Sequence, residues 1–237
     1  MEEKHLQMSE SFFLTAILAI VGGFLDSYSY LMRGHVFANA QTGNIVLLSQ
    51  HIFAGNWADV MRYLMPVLSF MFGVAAATEI RQHFQNIGRI HWRQIVILIE
   101  MSMLFLVGFL PGKMDLVANA FVSFSCAMQV QTFRKVDSYA FASTMCIGNI
   151  RSGMEALCAY RQSHNRQILY KAFHYFGIII LFAFGAGIGS ILIPVFNLQT
   201  IWFSSFLLMV GVFPDVYSGK IAKNVEYSDE ICEKIIK

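Results

Sequence analysis

The sequence predicts an all-α membrane protein made of two related halves, and three observations predict it. Of 237 residues, 56% are hydrophobic and only 14% charged, with a mean hydropathy of +0.54, too few charges to cover a soluble globule. Six runs approach the roughly 20 apolar residues that cross about 30 Å of hydrocarbon. Two short stretches, Ala38 to Ile45 and Ser143 to Ile150, read as copies of each other, each passing from small and polar residues through Gly-Asn-Ile.

In chain order, Phe12 to Leu31 is the first span and holds one charge, Asp26. Glu2, Glu3 and Glu10 precede it and argue against a cleavable signal. Val36 to Ala54 is apolar but interrupted by Asn39, Gln41, Thr42, Gly43 and Asn44. Tyr63 to Ile80 and Ile95 to Pro111 complete a first half of about 12–111. The second half, about 115–213, has spans at Leu116 to Phe133, Ala172 to Val195 and Leu198 to Phe213. Between the first two of these, Tyr139 to Tyr160 is interrupted by Gly148, Asn149, Arg151 and Glu155.

Loop charge decides how the two interrupted segments run, because short cytoplasmic loops accumulate Lys and Arg. If both return to their side of entry, the basic loop Arg81 to Arg93 is cytoplasmic, together with Arg134, Lys135, Arg161, Arg166 and Lys171. The outside keeps scattered charge only: Arg33, Arg62 and Lys113, with Asp59 and Asp115 nearby. The expectation is six full spans plus two broken or re-entrant segments. Residues 1–11 and the mixed-charge tail 214–237 are then both cytoplasmic, flanking one membrane domain, 12–213.

A shift of 105 residues places Gly43-Asn44-Ile45 on Gly148-Asn149-Ile150 and Asp26 on Gln131. A shift of 112 places Gly73 and Ala77 on Gly185 and Gly189. Three full crossings per half would invert the second half relative to the first, the inverted-repeat plan whose sites lie near the midplane where helices are discontinuous.

Gly22 to Tyr30, carrying Gly-Phe-Leu-Asp, is followed by Val36-Phe37-Ala38-Asn39 and by Thr42-Gly43-Asn44-Ile45-Val46-Leu47-Leu48. This combination resembles the YoaK family of bacterial multi-pass membrane proteins, over about Phe12 to Phe213. The resemblance implies a bacterial plasma-membrane location and the multi-pass fold. The family bears an unknown-function label, so no reaction is implied. The family pattern often has a second Thr-Gly; this chain has Ile147-Gly148 there, without a hydroxyl.

Several residues are candidates for contact with a solute. Asp26, a carboxyl inside a span, normally needs a cavity or a partner, which suits proton coupling or cation binding; the structural alternative is a helix-end carboxylate bonded to Ser29 or Tyr30. Asn39, Thr42 and Asn44 offer amides and a hydroxyl beside Gly43, where backbone can approach a ligand; equally, Asn39 or Thr42 is an N-cap. A helix starting there would favour an anionic group at its N-terminus. Gln131 offers an amide to a cavity or to a neighbouring helix. Asn149 belongs to the second break. Arg151 and Glu155, four apart on one helix face, either neutralise each other or present Arg151 to a carboxylate. Glu100 reads as a packing or oligomer contact. Gly73 with Ala77, and Gly185 with Gly189, read as close helix packing.

No metalloprotease, phosphate-loop, serine-hydrolase or Cys/His metal spacing is present, and the four cysteines are unpaired in spacing, so neither an enzyme nor a cofactor or metal is expected. A net charge of +2 gives no case for nucleic acid. The expected partners are the lipid bilayer, a small solute, and a second copy in a homo-oligomer. Two readings stand: a transporter of a small polar or anionic solute, proton-coupled through Asp26, or a non-transporting membrane scaffold in which the broken segments only pack.

Overall fold

The computed structural model describes residues 12–85, 92–133, 135–136, 139–140 and 146–211. Those residues are helical but for connections and a two-residue antiparallel pairing of Lys135–Val136 with Tyr139–Ala140. The helices are α1 (Phe12–Met32), α2 (Gln41–Phe53), α3 (Trp57–Phe84), α4 (Trp92–Val107), α5 (Asp115–Thr132), α6 (Cys146–Ser163) and α7 (Arg166–Phe196). A 3₁₀ turn, Asn197–Ile201, leads into α8 (202–211). The expected termini and part of the basic loop 81–93 lie outside the described residues.

Each apolar run is helical, but not all are long enough to cross. Among the described residues, three stretches are long and apolar enough: Phe13–Met32, Trp57–Phe84 and Arg166–Gly211. At 16 residues α4 spans about 24 Å, short of the hydrocarbon thickness. The 18 residues of α5 reach about 27 Å and bury Asn119, Ser123, Ser125 and Gln129. Length and composition therefore support three spans where the sequence suggests six.

The principal contacts are α1 on α7, α3 on α5, α6 on α7, α2 on α3 and α4 on α5. Two crossings are made by glycine. A Cβ at Gly185 would collide with the Ile20 carbonyl, and one at Gly23 with the Phe182 carbonyl, so α1 and α7 meet backbone to backbone. At Gly73 a Cβ would collide with the Phe124 carbonyl, so α3 and α5 meet the same way. Within each pair the helices run in the same sense: Ile20 meets Gly185 and Ser27 meets Gly189, while Phe124 meets Gly73 and Gln131 meets Thr78. In contrast α1 and α5 run in opposite senses, since Gln129 Nε2 donates to the Leu18 carbonyl and Asn119 Nδ2 to the Arg33 carbonyl.

One apolar core joins α1, α4, α5 and α8 through Leu14, Leu18, Leu25, Leu104, Val122 and Leu208, all nearly inaccessible. Arg33 closes its end. Expected among scattered loop charges, it is instead wholly buried. Its Nη2 donates to the Val107 and Leu110 carbonyls at 3.0 and 2.9 Å, and its Nη1 to Asp115 Oδ1 at 2.9 Å. Its Nε donates to the Tyr28 hydroxyl at 3.0 Å. The last carbonyls of a helix have no intrahelical partner, and a five-donor guanidinium satisfies several at once.

Candidate functional site

The site starts where α1 stops. Gly34 (φ 85°) and His35 (φ 60°) turn the chain, and the His35 N–H donates back to the Tyr30 carbonyl, a left-handed helix ending. The chain then runs back beside α1. The Asn39 N–H donates to Asp26 Oδ1 at 2.7 Å, and Asn39 Nδ2 donates to the Gly22 carbonyl at 3.1 Å. Gly22 is ten residues before the end of α1, about 15 Å along its axis, so Asn39 sits near the helix midpoint. From there α2 returns: a Cβ on Gly34 would lie 3.7 Å from Arg62 Cδ, so α3 begins beside the end of α1. At 13 residues α2 is about 20 Å long, short of the hydrocarbon thickness.

Asn44 fixes this loop. Its Oδ1 accepts from the Phe37 N–H at 3.0 Å, and its Nδ2 donates to the Phe37 carbonyl at 2.7 Å and to Gln41 Oε1 at 2.9 Å. An extended segment with no strand beside it is thus paired by one side chain, as buried backbone requires. Asp26 does similar work, with the amides of Ala38 and Ala40 also turned toward its carboxyl. Ser29 does not bond that carboxyl; its hydroxyl donates to the Asp26 backbone carbonyl at 3.2 Å. Neither Asn39 nor Thr42 caps α2: the N-cap is Ala40, with no side-chain bond.

A cavity of about 820 Å³ opens against this loop. Its wall includes Asp26, Asn39, Gln41 and Thr42 from the first half, and Cys146, Ile147 and Gly148 from the start of α6. Phe70 of α3 and Phe182 and Ala186 of α7 complete it. The N-terminal ends of α2 and α6 therefore share one space, although the Gln41 and Gly43 amides at the start of α2 are already bonded to the Asn39 and Ala40 carbonyls. The wall is mainly aromatic and aliphatic, and among the described residues no Lys, Arg or His lines it. That arrangement of an apolar chamber with a few convergent polar groups is what small-molecule sites have.

Sequence-expected candidates divide accordingly. Asp26, Asn39 and Thr42 reach the cavity. Gly43 lies one residue behind its wall, where a Cβ would stand 3.0 Å from the Phe37 ring, and Asn44 is the clamp. Gln131 is turned to α3, where its Nε2 donates to Thr78 Oγ1 at 2.9 Å. Asn149 is buried, but Gly148, not Asn149, lines the cavity. Arg151 and Glu155 pair at 3.2 Å with side chains 80% and 65% exposed, so they meet on the outer face of α6 and not at the site. No break interrupts α6 after Cys146, so the polar residues expected to break it lie along a continuous helix. Cys146 was legible only by position, just before the second Gly-Asn; the Phe residues of the wall carried no signal separating them from lipid-facing ones.

A family model described as "Protein of unknown function (DUF1275)" matches residues 14–213. The chain belongs to that family. It is also 25% identical over 202 residues to the UPF0700 transmembrane protein YoaK of Bacillus subtilis (strain 168), covering 80% of this chain and 87% of the relative. No solved structure matches. The match spans both Gly-Asn-Ile stretches and all but the first two described residues, and with the three apolar helices it makes this chain a transmembrane protein.

Proposed function

We propose that the chain is a membrane transporter for a small solute with an apolar body and a polar or anionic group. The observation that carries this reading is the meeting of the α2 and α6 N-termini with Asp26 in one cavity. Two helix N-termini favour a partial or full negative charge on the ligand. The phenyl groups suit the rest of it.

An inverted repeat of six spans and two re-entrant helices is the architecture this reading uses, and the packing supports it. Under the repeat, the α1–α7 contact corresponds to α5–α3, and α2–α3 to α6–α7; both members of each pair are present. Gly185 packs at Ile20, and Gly73, its counterpart, packs beside 125, the counterpart of 20. Opposed directions of α1 and α5 fit inversion. Alternating access then consists of one half rocking on the other about the shared cavity.

A second reading, a non-transporting scaffold, is favoured by one observation: Asp26 and Asn44 spend hydrogen bonds on holding the loop. Thermal unfolding of the purified protein against carboxylates, phosphates, sugars, amino acids and cations separates the two. A transporter's solute at about 100 times its Kd stabilises by about 2.7 kcal/mol, an effect lost in Asp26→Asn. No shift from any compound, on folded protein, would favour the scaffold.

A further inference from the structure

Glu100 stands in the middle of α4, wholly buried, and neither carboxyl oxygen has a hydrogen-bond partner among the described residues. It is therefore not an oligomer contact. Nor is a cation at hand among the described residues. Arg33 is engaged at Val107, seven residues and about 10 Å along α4, and Arg93 lies as far the other way, over Trp92. The Ser125 hydroxyl donates to Met103 Sδ, and the antiparallel pairing of α4 with α5 then sets Glu100 level with the next turn of α5, Cys126 to Gln129. The Cys126 thiol is within electrostatic reach of both Glu100 and Asp26, and Asn39 approaches it too.

Other buried side-chain atoms of α5 and the loop before α2 without a hydrogen-bond partner among the described residues include Asn39 Oδ1, Gln129 Oε1 and the Ser123 hydroxyl oxygen. A core with a lone carboxyl and unpartnered oxygens lacks a positive charge, and a bare carboxylate at such depth is strongly disfavoured.

We propose that Glu100 anchors a buried site for one positive charge, a proton or an alkali cation, on the far side of Cys126 from the Asp26 cavity. Among the titratable groups on the neighbouring helices, Cys126 on α5 stands between Glu100 and Asp26 of α1, and Tyr28 of α1 is turned to Arg33 and the Leu198 carbonyl. Residues 202–211 of α8 contain none, and the charged residues of α3 lie toward its two ends: Asp59 and Arg62 at one, Glu79, Arg81 and His83 at the other. The charge bound at Glu100 is read without any solute. Its use as a coupling ion rests on the transport reading.

The test uses the full chain in lipid nanodiscs, as wild type, Glu100→Gln and Glu100→Asp. Melting is followed in sodium against choline at fixed ionic strength over a pH series, with infrared spectra of the carboxyl region. If the ligand is sodium, the wild-type midpoint rises by about 5–10 °C as sodium reaches about 100 times its Kd. Glu100→Gln does not respond, and Glu100→Asp responds at higher sodium. If it is a proton, melting ignores sodium and the wild type has a protonated-carboxyl band that Glu100→Gln lacks. A wild type with neither a sodium response nor any protonated-carboxyl band overturns the proposal, whether or not the Gln variant folds. So does a folded Glu100→Gln that keeps the wild type's sodium response and protonated-carboxyl band. A failed solute panel leaves this site standing, and failure here leaves the solute cavity standing without its ion.

Discussion

The two Gly-Asn-Ile stretches are alike in sequence and unlike in work. At the first, the loop before the helix is bound down: Asn39 on Asp26 and Gly22, Asn44 on Phe37, and Gly43 against the Phe37 ring. At the second, Gly148 faces open space, where an added Cβ would meet nothing within 4 Å, and Ile147 is 80% exposed. Only the asparagines behave alike, since Asn44 and Asn149 are both buried. A repeated motif thus reports a shared fold position. What each copy does depends on the neighbours that its own half supplies.

Substitutions sharpen this difference. The largest effect belongs to Asn44→Ala, which strands the partly buried Phe37 N–H and carbonyl. Chemical or thermal unfolding should find it destabilised by about 2–4 kcal/mol. Gly43→Ala pushes a methyl toward the Phe37 ring and should cost about 1 kcal/mol, offset in part by the better helix propensity of alanine. Gly148→Ala should keep or raise stability by about 0.5–1 kcal/mol, because only the propensity gain remains. It also narrows the cavity, so ligand-induced melting shifts should shrink while the apo midpoint does not fall. Smallest is Arg151→Ala: the exposed pair with Glu155 is worth under about 0.5 kcal/mol, and neither melting nor ligand response should change. Equal costs for Gly43→Ala and Gly148→Ala would erase the contrast.

Much of this was legible from polarity alone. Asp26 in a span and the run Asn39 to Asn44 mark the first break because lipid forbids unsatisfied polar backbone, whatever the tertiary fold. The glycines at 73 and 185 mark helix crossings for a similarly local reason. Arg33 misled because an arginine just past an apolar run resembles any loop charge. Its burial depends on the open carbonyls of α4, more than 70 residues away. Arg151 and Glu155 misled the other way, since four-residue spacing fixes that they meet but not which side of α6 they occupy. Span number was hardest to read, because α4 and α5 are short and their buried polar residues are turned into the bundle, which composition cannot see.

The central claim is that the starts of α2 and α6 border one cavity. The most direct measurement replaces the other cysteines, keeps Cys146, introduces Thr42→Cys, and treats the protein in membranes with a short bifunctional thiol reagent. Residues 42 and 146 should cross-link within the chain, and a control pairing Cys146 with Glu155→Cys on the outer face should not. If both thiols at 42 and 146 react singly and no intramolecular link forms, the two breaks do not share a cavity and the transport reading loses its site.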